Sequence, residues 1–150
     1  MGNIIFYSLF LSKKEETRVE LHRGKRVYRT LIKDLILDIK KNDTVYLLGV
    51  DENILEIVEP IYLKQYFTII KEKNIKEKII IARGGKKVKE KNLEYKELDK
   101  KYLGDTTTVI YQDKVFIFVR GNLYYLIAIK SRKIAETYLK QFKLLWDMAK

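Results

Sequence analysis

Short runs of β-branched residues alternate with longer segments of helical period, and this order constrains the fold more than any other feature of the sequence. Residues 18–22 alternate between charged and apolar side chains, which is typical of a half-buried strand. An amphipathic helix over about 25–41 is predicted by apolar residues that recur every four positions: Val27, Leu31, Leu35 and Ile39. Residues 44–50 (TVYLLGV) are β-branched and aromatic, as in a buried strand.

The next segment contains the only proline of the chain. Residues 53–73 have the apolar spacing of a helix, and Pro60 lies inside them. An internal proline removes a backbone hydrogen bond and clashes with the preceding turn. Either one helix therefore bends at Pro60, or a short helix ends near Val58 and a second one begins. Residues 75–82 return to a strand pattern, and Arg83-Gly84-Gly85 indicates a turn.

The second half of the chain is mainly β. Four strands are predicted there: 93–98, 106–112, 114–119 and 123–129. Asp113 and Gly121-Asn122 separate the last three strands, as hairpin turns require. Ser131 is a candidate N-cap for a closing helix that has an apolar face. The whole order predicts an α/β fold in which a mixed sheet is flanked by helices on both faces.

We expect one domain over residues 18–150, preceded by a strand or a packed arm over residues 1–17. The apolar run at residues 4–11 is too short to span a bilayer. It also lacks the basic stretch and the small residues that flank the apolar part of a secretory signal. The absence of cysteine excludes disulfides and thiol chemistry and favours a reducing compartment. A soluble cytoplasmic protein without membrane partners is expected.

Charge favours an anionic partner. The chain has 31 basic and 20 acidic residues and a formal net charge of +11, which attracts polyanions, although lysine-rich surfaces also occur without any such role. Four basic residues surround the start of the first predicted helix, where free backbone amides favour anions: Arg23, Lys25, Arg26 and Arg29. One hypothesis is a basic nucleic-acid-binding protein without base-specific readout, because no sequence-reading motif accompanies the charge.

Few residues suit catalysis. His22 is the single histidine, and it is either a general base or an ordinary side chain at the end of a strand. Gly84-Gly85-Lys86-Lys87 lacks the leading glycine and the hydroxyl residue of a phosphate-binding loop. No cluster has metal-ligand spacing, so neither a metal nor a cofactor is expected. A cryptic phosphodiesterase that uses His22 is the catalytic alternative.

Five strings follow one another along the chain: VELHRG at 19–24, TVYLLG at 44–49, residues 75–81, TTTVIYQDKVFI at 106–117, and residues 134–150. In order and spacing they resemble the C-terminal domain of archaeal transcriptional regulators of the TrmB type, which is similar to one half of a phospholipase D fold. The resemblance covers the chain from about residue 18 onward. It implies a phospholipase D-like mixed sheet.

The phospholipase D superfamily carries the pattern His-x-Lys-x4-Asp, in which the histidine attacks phosphorus and the lysine binds phosphate oxygens. The resemblance places Thr106 at the histidine, Thr108 at the lysine and Asp113 at the aspartate. A threonine hydroxyl is a poor nucleophile without an activating base, and it has no charge to offer a phosphate. The resemblance thus implies a scaffold with a degenerate site. The alternative is that both threonines are ordinary strand residues.

The resemblance implies a non-catalytic domain for ligand sensing and dimerisation, related to archaeal transcription regulators. The candidate ligand-binding residues are Thr106, Thr108, Asp113, Arg23 and Arg120, with the two arginines as anion contacts. The implied partners are a second copy in a homodimer, an unknown small-molecule or anionic ligand, and DNA. We expect DNA to be bound either through the basic surface or through a separate DNA-binding chain. Too few residues precede the match for a winged helix, so the protein is either a free-standing relative or one from which an N-terminal domain was removed.

Overall fold

A computed structural model describes residues 17–150, so the predicted arm and its apolar run at 4–11 lie outside the described residues. Within that range the strands β1–β7 are Arg18–Arg23, Thr44–Leu48, Lys76–Ala82, Leu93–Leu98, Thr106–Tyr111, Lys114–Val119 and Tyr125–Lys130. The helices α1–α4 are Val27–Asp38, Glu52–Val58, Pro60–Glu72 and Arg132–Met148, and a short 3-10 helix covers Lys100–Tyr102.

The strands form one seven-stranded sheet in the order β1-β7-β6-β5-β2-β3-β4. Strands β2, β3 and β4 are parallel to one another, whereas β5, β6, β7 and β1 continue the sheet through antiparallel pairs. Because of these directions, β2, β3, β4, β6 and β1 all end at the same edge of the sheet, where β5 and β7 begin. We call this the carboxyl edge.

Each face of the sheet carries its own core, since successive side chains of a strand point to opposite faces. Helices α1 and α3 pack on one face, with the buried residues Leu31, Ile32, Tyr66, Ile70, Val109, Tyr111, Phe116 and Phe118 among others. Helix α4 packs on the other face, over Ile80, Leu98 and Ile110, through Phe142 and its apolar neighbours. The predicted mixed sheet with helices on both faces is therefore confirmed.

Pro60 separates two helices rather than bending one. Helix α2 ends at Val58, and Pro60 is the first residue of α3, a position where its missing N–H costs no helical hydrogen bond. Ser131 caps α4 as expected, because its hydroxyl accepts a 3.3 Å hydrogen bond from the Ile134 amide.

Strand β1 differs from the expectation of a half-buried strand. Val19 is 61% exposed and Leu21 is 56% exposed, although both alternate with charged residues as a buried strand face would. The physical reason is position: β1 is the outermost strand of the sheet, and α4 packs on the strands nearer the centre. Among residues 17–150, no helix combines the length and apolar character that are needed to cross a membrane.

Candidate functional site

A cleft of about 360 Å³ opens at the carboxyl edge, outside the ends of β2 and β3. In open α/β sheets ligands bind in the crevice outside the carboxyl ends of the strands. Four segments form its walls: Gly49–Asn53 after β2, Ala82–Lys86 after β3, Lys100 and Leu103–Asp105 before β5, and Arg120 directly after β6.

Arg120 is the best-anchored cation of this cleft. Its Nη1 donates to Thr107 Oγ1 at 2.7 Å and to the Gly49 carbonyl at 3.1 Å, and its Nη2 donates to the Gly104 carbonyl at 3.3 Å. The Thr107 hydroxyl in turn donates to the Gly49 carbonyl at 2.9 Å. A guanidinium has five N–H donors, so two of them form none of these three hydrogen bonds. No carboxylate in the described part of the chain forms an ion pair with Arg120.

Gly49 makes this arrangement possible. Its φ is +78°, and a Cβ atom at this position would lie 2.7 Å from the Thr106 carbonyl oxygen. Only glycine adopts this conformation without strain. The chain can therefore turn sharply at the end of β2, lie against the start of β5, and present the Gly49 carbonyl to Arg120.

Glu52 belongs to the cleft wall but is almost fully buried. It is the first residue of α2 and is 5% exposed, and its Oε1 accepts a 2.8 Å hydrogen bond from the Tyr95 hydroxyl. Burial raises the pKa of the Glu52 carboxyl above its usual value, so its negative charge is disfavoured there. The hydrogen bond from Tyr95, distant in sequence, carries no local signal that could have revealed this.

The remaining charged groups of the cleft are mostly exposed. Arg83 and Lys100 line it with no ion-pair partner among residues 17–150, whereas Lys86 pairs with Glu56 at 2.5 Å. Asp51 and Asp105 add two carboxylates. Because Lys86 is paired, Arg83, Lys100 and Arg120 are the unpaired cations of the cleft. They face the carboxyl groups of Asp51, Asp105 and Glu52, and burial raises the pKa of the last of these.

Thr106 and Thr108 do not line this cleft. Thr106 and Thr108 point to the same face of β5 as Ile110, which belongs to the core under α4. Thr107 points to the opposite face, together with Val109 and Tyr111 of the other core. Thr106 and Thr108 therefore share the α4 face of the sheet, while Arg120 binds Thr107 on the other side. Thr106 is exposed and Thr108 is only 8% exposed.

Arg23 lies at the carboxyl edge but far from the cleft. Across the sheet, Arg23 of β1 is aligned with Tyr125 of β7, Val119 of β6 and Thr106 of β5. Three strand spacings therefore separate Arg23 from Thr106, a distance of roughly 14 Å. Asp113 lies at the opposite end of β5, about 17 Å or more from Thr106, where its carbonyl accepts from the Ser131 amide. The structure thus brings none of the five predicted residues except Arg120 into the cleft.

His22, the single histidine of the sequence, is on β1, and its Nε2 lies 3.2 Å from Glu20 Oε2. Leu21 is aligned across the sheet with Ile127, Ile117 and Thr108, so Leu21 points to the same face as Thr108 and Thr106. His22 follows Leu21 in the strand and therefore points to the opposite face. It therefore cannot activate the Thr106 hydroxyl of the same chain. Among the described residues no group of His, Asp or Glu side chains is arranged to hold a metal ion.

No protein family and no curated protein matches this sequence. Solved structures do match the fold. TrmBL2, an archaeal chromatin protein whose structure shows a novel mode of DNA binding, is similar with a TM-score of 0.59 and 16% identity. The match covers 99% of this chain and 60% of TrmBL2, so this chain spans less than two thirds of that protein.

Two further solved structures match along nearly their whole length. Nuc from Salmonella typhimurium, a phospholipase D family member, has a TM-score of 0.62 and 14% identity over 90% of this chain and 97% of Nuc. NucT from Helicobacter pylori has a TM-score of 0.62 and 12% identity over 89% of this chain and 98% of NucT. At these identities the similarity establishes the fold: the chain has a phospholipase D-like fold, which is also found in a TrmB-type protein.

Proposed function

We propose that this protein is a non-catalytic domain that binds a small anionic ligand in the carboxyl-edge cleft and acts as a homodimer in transcription regulation. One observation carries the ligand proposal. The Arg120 guanidinium is fixed by three oxygen acceptors in the wall of the cleft and retains two N–H donors without a carboxylate partner. A guanidinium held in this way is preorganised for bidentate recognition of a carboxylate or phosphate.

The surroundings of Arg120 favour an anion over a cation. Lys100 and Arg83 line the same cleft without ion-pair partners in the described range, and burial of Glu52 disfavours its negative charge. The two donors of Arg120 and the nearby ammonium of Lys100 suit a compact group with several oxygen acceptors. A phosphate-bearing small molecule fits this description best.

The chemistry of the β5 strand supports the proposed absence of catalysis. Thr106 and Thr108 stand where the resemblance expects histidine and lysine, and a threonine hydroxyl needs a base to become a nucleophile. His22 is on the other face of the sheet and is three strands away. If a preparation of the protein cleaves phosphodiesters, His22→Ala should leave that cleavage unchanged. Loss of cleavage in this variant would contradict the non-catalytic proposal.

The regulatory part of the proposal rests on similarity. TrmBL2 binds DNA and shares this fold, and the strings that resemble TrmB-type regulators run through most of the chain. The ligand would act on a dimer that is linked to DNA through another chain or domain. This assignment would explain why a phospholipase D-like fold occurs here without a histidine on β5.

The test is calorimetric titration with inorganic phosphate, nucleoside monophosphates and sugar phosphates at fixed ionic strength. We expect Lys100→Ala to weaken binding of the best ligand about tenfold, the effect of losing roughly one charge-assisted contact. Lys101→Ala is the matched control, because Lys101 is equally exposed in the same 3-10 helix but does not line the cleft. Equal effects of both substitutions, or no binding at all, would refute the ligand site.

The net charge of +11 supports a second candidate, nucleic-acid binding without base-specific readout. That function predicts binding to duplex or single strands that falls steeply as salt increases. A cleft ligand predicts selectivity among small molecules with weak salt dependence. Measuring both across one salt series separates the two candidates.

A further inference from the structure

The two outer edges of the described sheet differ in whether other backbone segments pair with them. At the β4 edge, the Glu97 amide donates to the Lys150 carbonyl at 2.8 Å, and the Lys150 amide donates to the Glu97 carbonyl at 3.1 Å. These reciprocal bonds cover part of that edge. At the opposite edge, no residue of the 17–150 range pairs with the outer side of β1.

Strand β1 lacks three of the features that protect exposed edges, namely a bulge, a proline and a very short length, although its charged residues Arg18, Glu20 and Arg23 are a fourth such feature. The six residues of β1 pair with β7 in an unbroken register from Arg18–Lys130 to Arg23–Tyr125, without a bulge, and contain neither proline nor glycine. Val19 and Leu21 are more than half exposed on one face of this strand. Such an edge is a template for another strand.

We infer that β1 pairs with β1 of a second copy, so that two sheets join into one across a two-fold axis at Leu21. This inference names the surface of the homodimer proposed above and rests on that part of the proposal. It is independent of the ligand cleft at Arg120. An isologous contact of this kind uses the same residues on both copies, and addition of a strand to a sheet edge is a common mode of association.

The sequence of β1 is complementary to itself in one register. A two-fold axis perpendicular to the sheet leaves the α4 face of both copies on the same side of the joined sheet. Odd-numbered residues of β1 must therefore lie opposite odd-numbered residues of the partner strand, and even-numbered residues opposite even-numbered ones. With the axis at Leu21, Leu21 lies opposite Leu21 of the partner subunit, and Glu20 lies opposite His22 of the partner subunit, twice. Apolar cross-strand pairs stabilise a sheet, and the two Glu20–His22 pairs add opposite charges when His22 is protonated.

The neighbouring registers lack this complementarity. Moving the axis to Glu20 places two glutamates opposite each other, and like charges directly opposite are destabilising. Moving it to His22 places the two histidines opposite each other and removes both Glu20–His22 pairs. The side of β1 that carries Val19 and Leu21 is continuous with Ile127 and Ile129 of β7, so the apolar strip would extend across the junction.

The test is the mass of the full-length protein, measured by light scattering and sedimentation equilibrium over a micromolar concentration series. We expect the wild type to dimerise. Leu21→Lys places two ammonium groups opposite each other and should raise the dimer Kd at least tenfold. Leu144→Lys is the matched control, since Leu144 is 64% exposed on α4, away from β1, and this variant should remain dimeric.

A charge-swap pair distinguishes this register from any other contact through β1. His22→Glu places Glu opposite Glu20 of the partner subunit and should weaken the dimer, whereas Glu20→Lys combined with His22→Glu restores opposite charges and should restore it. A dimer unaffected by Leu21→Lys would overturn the inference while leaving the proposed homodimer intact. A wild-type monomer would overturn both. Ligand titration at the Arg120 cleft reports separately on the rest of the proposed function.

Discussion

Arg120 and Thr107 are joined by a 2.7 Å hydrogen bond from Nη1 of the guanidinium to the threonine hydroxyl, at the point where β5 and β6 meet the carboxyl edge. The same hydroxyl donates to the Gly49 carbonyl, so a single buried oxygen connects three segments of the cleft. Thr107 is 5% exposed, although its neighbour Thr106 is open to solvent. Thr107 is therefore the threonine of β5 that holds Arg120 in place, whereas the resemblance pointed to its neighbours Thr106 and Thr108.

Thr107→Val keeps the shape of this side chain and removes its hydroxyl. We expect the free energy of unfolding to fall by about 1–3 kcal/mol, because buried partners lose hydrogen bonds, and ligand affinity at Arg120 to fall as well. Thr107→Ser keeps the hydroxyl and should retain the affinity. Urea unfolding together with calorimetric titration checks both effects, and equal affinities in the valine and serine variants would argue against the role of Thr107 in positioning Arg120.

Gly49→Ala should be the most damaging of three glycine substitutions. It combines a positive φ with a Cβ contact of 2.7 Å to the Thr106 carbonyl, so we expect a loss of more than about 1 kcal/mol. Gly24 also has a positive φ, but no atom lies within 4 Å of an added Cβ, so Gly24→Ala should lower the free energy of unfolding by about 1 kcal/mol. Gly104→Ala has neither a positive φ nor a close neighbour and should be nearly neutral. Thermal or urea unfolding of the three variants gives the order, and a Gly49 variant as stable as the Gly104 variant would contradict the geometry.

Glu77 should make stability fall as pH rises. Burial raises the pKa of its carboxyl to about 8, while the Tyr66 hydroxyl donates a 2.6 Å hydrogen bond to its Oε1 and offsets part of this effect. Between the ordinary pKa of a glutamate, near 4.5, and a pH of about 8, the folded state holds a proton that the unfolded state has lost. The stabilisation is therefore complete below about pH 4.5 and is lost progressively as pH increases to about 8. The raised pKa of Glu52 acts in the same direction.

Glu77→Gln isolates this effect, since it keeps the shape of the side chain and cannot ionise. The variant should gain stability relative to wild type on going from pH 5 to pH 9, as measured by urea unfolding at pH 5, 7 and 9. Glu94→Gln, on an exposed position of β4, is the control and should follow the wild-type profile. A difference between Glu77→Gln and wild type that stays constant with pH would show that Glu77 is not protonated in the folded protein.

Ser131→Ala should destabilise the protein by about 1 kcal/mol, because the Ile134 amide at the start of α4 loses its side-chain acceptor. Ser131→Asp retains an acceptor and should remain close to wild type. Thr137→Ala, in the exposed middle of the same helix, serves as the comparison and should have little effect. Chemical denaturation measures all three, and a Ser131→Ala variant as stable as wild type would show that water replaces the cap.

The sequence alone determined the elements and their order. The β-branched runs at β2, β3 and β6 and the apolar period of α1 and α4 were sufficient, since strand and helix periods are local properties of the chain. The helix break at Pro60 was anticipated as one of two outcomes, and Ser131 was recognised as a cap because capping depends on residues only three positions apart. The order of these elements also supported the phospholipase D-like fold.

The tertiary structure decided which side chains meet. Thr106 and Arg120 were grouped from the sequence, but the alternation of the strands sends them to opposite faces of the sheet, and the length of β5 separates Asp113 from both. Gly49, Thr107 and Glu52 acquire their roles from partners that are distant in sequence, namely Thr106, Arg120 and Tyr95. The exposure of Val19 and Leu21 likewise depends on the place of β1 at the end of the sheet. Strand order and register are set by contacts between segments that are distant in sequence, so a local pattern of hydrophobic residues does not predict them.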